Sequence, residues 1–312
     1  MRQQIDALKI KGSVLVIKDN KILLDYATNN ATDTIYLINS VQKSMTAALV
    51  MRLVQTGKLS LQDPLSKFYP VIPGSKKIKL ANLISMTAGL SLRPGSQLGS
   101  RTFKSDQANL EHNIAKTIFV PKMLGKWYYS SLNYIYLCGI LSQVTGKSYE
   151  KLFRDTYIKP LKLKHTEFLW AKSAQLLNTG FIPGKVYKKG RYVLVKAKTA
   201  LSDAHNELGA GSIVMSNHDL AKVIHYLLAG KFLSSKSRKL LYQASSPSFY
   251  NGGFYNNSKF KIANGAGEGY YTFLRSTKDG KTMLIIQSDR TRMGQFASLK
   301  PQIDKIMKSL ID

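Results

Sequence analysis

Tyr36-Leu37-Ile38-Asn39-Ser40-Val41-Gln42-Lys43-Ser44-Met45-Thr46-Ala47 is the stretch on which the reading of this chain turns. Its first residues are apolar and then the period changes. Val41, Met45, Ala48, Leu49, Leu53 and Val54 recur at helical spacing from Ser40 to about Thr56, and Gly57 stands where a helix closes. Ser40 and Lys43 therefore share one face of a helix. A serine hydroxyl is a weak nucleophile and needs a neighbouring base or a shifted proton equilibrium. A lysine fills that role where burial disfavours its ammonium form. A serine at a helix start also has its own backbone N–H free to help hold an oxyanion.

The bare Ser-x-x-Lys pattern is not specific. Ser148-Tyr149-Glu150-Lys151 and Ser258-Lys259-Phe260-Lys261 match it too, as expected in a chain rich in lysine. The setting separates the three. Ser40 follows an apolar run and opens a long helix with an apolar face, so Lys43 has a place to be buried. Lys151 and Lys261 stand among polar neighbours and read as surface charges.

Outward from this segment, Ser13–Ile17 and Ile22–Tyr26 are β-rich runs around the turn residues Lys18-Asp19-Asn20-Lys21, a hairpin. Residues 79–86 read as a short helix ending at Ala88-Gly89, residues 91–126 give no clear pattern, and helices are expected over 133–144 and from Ser148 to about Thr156. A glycine-loosened apolar stretch, 209–215, precedes a helix over 218–228. Tyr270–Leu274 and Thr282–Ile286 form a second hairpin around Asp279-Gly280, and a last helix is expected from about Leu299 to Leu310. Strands at both ends with helices between predict an α+β fold (an α/β sandwich). Its antiparallel sheet is built from both chain termini and flanked by helices, with a helical second lobe. We expect one domain over 1–312, with a sheet lobe of 1–60 plus 205–312 and a mostly helical lobe of 61–204.

Lys and Arg total 46 against 18 acidic residues, a formal net charge of +28 spread along the whole chain. Such a charge attracts polyanions over several ångströms and is screened by salt. The partners it suggests are an anionic cell-envelope polymer or an anionic membrane surface. Nucleic acid is not expected, because no RNP-like, zinc-finger or helix-turn-helix signature accompanies the charge. Cys138 lies in an apolar run and reads as a small core residue. The five histidines show no metal-ligand spacing, so neither a metal nor another cofactor is expected. There is no Gly-x-Ser-x-Gly elbow and no phosphate-cradling loop. The sequence contains no run of 18 apolar residues and no signal-peptide core at its start; a signal or anchor is expected to lie outside these residues.

Residues 36–47 resemble the nucleophile segment of the serine β-lactamase and penicillin-binding-protein superfamily, most closely the branch with class C β-lactamases, D,D-carboxypeptidases and D-alanyl esterases. The similarity continues, in order, through residues 53–64, 83–90, Tyr129-Ser130-Ser131, Asn133-Tyr134, Gly139–Leu141, Pro160-Leu161, Gly209–Ser212 and Asp219–Ala221, covering most of the chain. The resemblance implies Ser40 as nucleophile, Lys43 as its activating neighbour and Tyr129 as proton shuttle. A phenol ionises near pH ~10 and works as a base only where cations favour the phenolate, and Lys43 is the candidate cation. The family's Tyr-x-Asn is altered here: Ser131 replaces the Asn, or its role moves to Asn133. The third motif lacks its usual Lys or His. Its best counterpart is Asn264-Gly265-Ala266-Gly267-Glu268-Gly269-Tyr270, whose glycines permit close backbone approach and one of whose N–H groups is expected as the second oxyanion donor. Glu268 either meets a substrate ammonium or is a solvated turn residue.

The expected function is a serine hydrolase working through an acyl-enzyme on D-alanyl substrates of the Gram-positive cell envelope, outside the cell. The charge favours D-alanyl esters of (lipo)teichoic acid, which are poly-phosphodiesters. The alternatives are a D-Ala-D-Ala carboxypeptidase acting on peptidoglycan stem peptides, a β-lactamase-like esterase, and a non-catalytic envelope-binding module.

Overall fold

Alternation along single strands sets the layers. Val14 and Val16 pack with Leu284, Ile286, Phe273 and the C-terminal helix residues Leu299, Ile303 and Leu310. Leu15 and Ile285 point the other way, into the large core shared with Val41, Met45, Leu137 and Leu220. One sheet is thus apolar on both faces and needs a helical layer on each side. The computed structural model describes residues 1–100, 102–243 and 249–312. Its main sheet has seven strands in the order 250–251, 254–256, 260–267, 270–277, 283–288, 13–18 and 21–27. Every neighbouring pair is antiparallel. The sheet is therefore built from both ends of the chain, as the sequence predicts, and the fold is α+β.

On one face lie the helices Arg2–Asp6 and Gln295–Ile311; on the other lie Lys43–Gln55, Leu132–Thr145 and Asn217–Leu228. The first hairpin turns on Asp19 and Asn20, both at positive φ, in the manner of a two-residue turn between twisted strands. The last helix begins at Gln295, a turn earlier than the sequence suggests, and runs through Pro301. Its first turn is held down by Phe296, which stacks on Tyr271 at 5.2 Å, so packing offsets the bond that Pro301 removes.

The stretch 91–126, without pattern in sequence, contains a two-stranded ribbon (Leu90–Leu92 with Thr117–Phe119) and the helix Asp106–Lys116. A small sheet pairs Tyr36–Leu37 and Thr166–Phe168 with the central strand Ile213–Met215. It brings the glycine-loosened segment 209–212 against the start of the Lys43–Gln55 helix. Cys138 is a buried free thiol. Among the described residues, no helix is long and apolar enough to cross a membrane.

Two lysines depart from each other. Lys151 is exposed and pairs with Asp155 at 3.1 Å, a surface charge as expected. Lys261 is not a surface charge. Its strand position turns it inward, where its Nζ donates to Asn256 Oδ1 at 2.6 Å beneath the ring of Tyr242. Burial lowers its pKa to about 8.

Candidate active site

A single tight turn, Asn39–Gln42, precedes the helix and carries Ser40. Asn39 adopts φ +48°, a conformation asparagine tolerates. Its Nδ2 donates to Leu37 O and Gly267 O, both at 3.3 Å, tying the turn to the glycine strand 260–267. Lys43 is fully buried. Its Nζ donates to Ser40 Oγ at 2.8 Å and to Ala210 O at 3.0 Å. An ammonium buried without partners costs several kcal/mol, so these two acceptors are what make its position tenable. Gln42 and Thr46, one helical turn apart, hold the segment that supplies Ala210 O. Gln42 Oε1 accepts from the N–H of Ser212 and of Ile213, and Thr46 Oγ1 donates to Gly209 O at 2.6 Å.

Tyr129 comes from the other side of the cleft. The N–H of Tyr128 donates to Met86 O at 2.8 Å, and the Tyr128 hydroxyl donates to Ser91 Oγ, which fixes the loop that carries Tyr129. The Tyr129 ring centroid lies 5.4 Å from Lys43 Nζ. A cavity of about 280 Å³ opens between Ser40 and Tyr129, lined also by Tyr250, Asn264, Ala266 and Lys300, among others.

The glycine segment forms the end of the strand Phe260–Gly267 and the turn that follows it. Gly265 is obligatory: a Cβ there would sit 2.1 Å from Ile38 O. Glu268 and Gly269, at φ +50° and +83°, form a two-residue turn closed by the pair Gly267 and Tyr270. In such a hairpin the closing pair is hydrogen-bonded, so alternation directs the N–H of Gly267 and Gly265 toward strand 270–277 and that of Ala266 away from it. On that outer edge the neighbouring strand pairs only with Lys261 and Ile262. The Ala266 N–H is left facing the Ser40 cavity. Asn264 also lines this cavity, its Oδ1 accepting from the buried Arg275 at 2.9 Å.

Ala266 lines a second cavity as well, with Asn39, Gly211, Gly267, Glu268, Asp203 and Glu207. Three carboxylates converge here in a strongly basic protein. Glu268 and Asp203 share a hydrogen bond, and burial first, then Asp203, raises the Glu268 pKa to about 7. Ser131 Oγ donates to Glu207 Oε1 at 3.3 Å, so Ser131 borders this acidic side. Asn133 is brought only near the site. It is buried, its Nδ2 donating to Ser130 O at 2.9 Å, and it braces the turn after Tyr129 without lining either cavity. Asp203, Glu207, Lys300 and Gln42 escape the sequence reading. Asp203 and Glu207 did carry a signal, a pair of acids four residues apart in a chain short of them. Among the described residues, no cluster of His, Cys, Asp or Glu is arranged to hold a metal ion.

A serine in hydrogen-bonding contact with a buried lysine, across a cleft from a tyrosine and beside an open strand edge, is an arrangement for acyl transfer. The chain belongs to the beta-lactamase family, which it matches over residues 2–294. It is 26% identical over 314 residues to the putative penicillin-binding protein PbpX of Bacillus subtilis, covering 95% of this chain and 75% of that protein. It is 30% identical over 268 residues to a teichoic acid D-alanine hydrolase of Staphylococcus aureus, covering 81% of this chain and 64% of that protein. Its fold is that of FmtA from Staphylococcus aureus (TM-score 0.82, 23% identity, 99% and 88% of the two chains). It is equally that of the D-amino acid amidase of Ochrobactrum anthropi (TM-score 0.83, 17% identity, 99% and 98%). The family expected from residues 36–47 and the ordered segments is the family found, and hydrolases are among its relatives.

Proposed function

We propose that this protein is a serine hydrolase that removes D-alanyl groups from teichoic acids, through an acyl-enzyme formed on Ser40. Ser40 Oγ bonds to the ester carbonyl carbon while its proton passes to the Lys43 and Tyr129 pair. The carbonyl oxygen takes up the negative charge between the N–H groups of Ser40 and Ala266. The carbon–oxygen bond to the polymer then breaks, and the proton returns to the departing alcohol. Water, deprotonated by the same pair, releases D-alanine and restores Ser40.

One observation carries the substrate assignment: the opposite charge of the two cavities that meet at Ala266. A carbonyl held there has Glu268, Asp203 and Glu207 on one side and Lys300 on the other. A D-alanyl ester of a phosphodiester polymer has the matching asymmetry, a free ammonium on the acyl side and phosphate on the leaving side. A D-Ala-D-Ala stem peptide offers Lys300 a carboxylate, but its acyl-side nitrogen is an uncharged amide and leaves the acidic cluster without a counter-ion. Carboxypeptidase or β-lactamase-like esterase action therefore ranks second. A purely binding role leaves the Lys43–Ser40 contact and the open cavity unexplained. The name of the Staphylococcus aureus relative supports this reading, and the reading puts the protein at the Gram-positive cell envelope, outside the cell. Asn133 is proposed as a brace for Tyr129, and Ser131 and Asn264 as supports of the acidic and basic sides.

Intact-mass measurement after incubation with D-alanylated lipoteichoic acid, a D-Ala-D-Ala peptide and a penicillin tests this. Loss of D-alanine from the polymer by the wild type and not by Ser40→Ala is the expected result. Release by Ser40→Ala at the wild-type rate would refute the enzyme, and turnover of the peptide alone would replace the substrate.

A further inference from the structure

The hairpin Lys185–Lys188 and Arg191–Leu194 stands outside both cavities and has no part in the reaction above. From Lys185 to Lys198 the sequence contains no acidic residue. Its turn carries Lys188, Lys189 and Arg191. The hairpin is fastened to the body along one side only, by parallel pairing of Lys185 and Val186 with Arg290 and Thr291. That pairing brings Arg290 over the ring of Tyr192 and Arg292 over the ring of Tyr187. The nearest carboxylate, Asp289, is buried and already paired with Lys185 at 3.0 Å. The projection therefore presents unopposed positive charge.

It also presents exposed apolar groups. All four residues of Arg191–Leu194 are exposed, Leu194 by 58%, and Met293, which follows Arg292 beside the hairpin, is exposed by 98%. A soluble phosphodiester polymer would satisfy the cations and leave Leu194, Tyr192 and Met293 in water. An anionic bilayer satisfies both, with phosphates for the cations and an interfacial layer for the tyrosines and aliphatic groups. We infer that this hairpin, with Arg292 and Met293, is a membrane-docking surface for anionic phospholipid headgroups. Its base touches the reaction centre's own strand: a Cβ on Gly184 would lie 2.1 Å from Glu268 O, and one on Gly269 2.4 Å from Lys185 N. Docking thus holds the turn that ends the Ala266 strand close to the bilayer.

The test is co-sedimentation with phosphatidylglycerol-containing vesicles against pure phosphatidylcholine vesicles, at 150 and 500 mM salt in each case (about one and three times physiological). The wild type should bind only the anionic vesicles. K188E/K189E/R191E should weaken that binding at least tenfold. K76E/K77E/K122E, an equal charge change at exposed lysines elsewhere, should stay within about twofold of wild type. L194S/M293S should bind near normally at low salt and lose about threefold or more at high salt. Far-UV circular dichroism and turnover of a small soluble ester, unchanged in all three, report intact folding. If the triple hairpin variant misfolds, L194S/M293S and the salt dependence still decide. Equal losses in the two charge-reversed variants would mean net charge alone is at work and would overturn the docking surface. So would wild-type binding by L194S/M293S at high salt, or hairpin-dependent binding to soluble polyphosphate that vesicles do not displace.

Discussion

The turn that carries Ser40 and the strand that carries Ala266 each bury a lysine, and the two lysines are held differently. Lys43 donates to a backbone carbonyl and to the hydroxyl of Ser40, and it is Ser40 that lines the cavity shared with Tyr129. Lys261 donates to one asparagine oxygen under a tyrosine ring and lines no cavity with the nucleophile. Burying a lysine is costly in both places. Only at Lys43 does the buried amine touch the hydroxyl, that of Ser40, to which the proposed reaction assigns the attack. The contrast teaches that burial alone does not mark a catalytic lysine; what it touches does.

The contrast can be broken most directly at Lys43. Ser40→Ala should abolish ester turnover, and Lys43→Ala should lower kcat/KM about 10³-fold or more while the protein stays folded. Steady-state kinetics within threefold of wild type for Lys43→Ala would put the two lysines on the same footing. Next in size, Gly265→Ala must push the strand away from Ile38 O. It should cost about 10²-fold in kcat, because the Ala266 N–H leaves the place proposed for it beside the carbonyl oxygen, with a much smaller loss in melting temperature.

A smaller effect should appear at Glu268. With its pKa raised to about 7, it gains full negative charge only above neutrality. KM for an aminoacyl ester should therefore fall as pH rises from about 5.5 to 7, where the substrate's ammonium stays largely charged, by about three- to tenfold, and Glu268→Gln should flatten that profile. A slope that persists in Glu268→Gln would assign it to another group. The smallest effect is at Lys261. Its folded pKa of about 8 lies below the ordinary 10.5, so between those values the unfolded chain holds more protons and stability rises with pH. Below about pH 8 the buried charge remains a standing cost. Lys261→Met should raise the melting temperature at pH 7 by about 2–5 °C, with an advantage that shrinks above pH 8 and with unchanged kinetics. A destabilised Lys261→Met at pH 7 would show that the Asn256 bond outweighs the burial cost.

Sequence alone reached the parts of this molecule governed by short-range pattern. The β-rich run Ser13–Ile17, the Asp19-Asn20 turn and the helical recurrence after Ser40 are local, and the structure has a strand, a turn and a helix there. Lys261 was misread because its flanking residues are polar, whereas its own burial is decided by Tyr242 and Phe254 arriving from elsewhere in the chain. On the acidic side of the cleft Glu268 is legible as an acid within the glycine segment, but its convergence with Asp203 and Glu207 is not. Asp203 and Glu207 meet Glu268 only after some sixty residues of chain fold back. The ribbon within 91–126 was missed because three-residue strands carry too little periodicity to be seen.

The strand edge left unpaired beyond Ile262 has a second consequence. An exposed edge is a template for any extended chain, including another copy of an unfolding protein, and sheet proteins ordinarily cover or blunt it. Here the edge opens onto a cleft walled by Tyr129, Tyr250 and Tyr255. Loosening that wall would do more than impair turnover. It would offer the same hydrogen-bonding groups to neighbouring molecules, so loss of the tyrosine wall should show itself as aggregation on mild heating before it shows itself as unfolding.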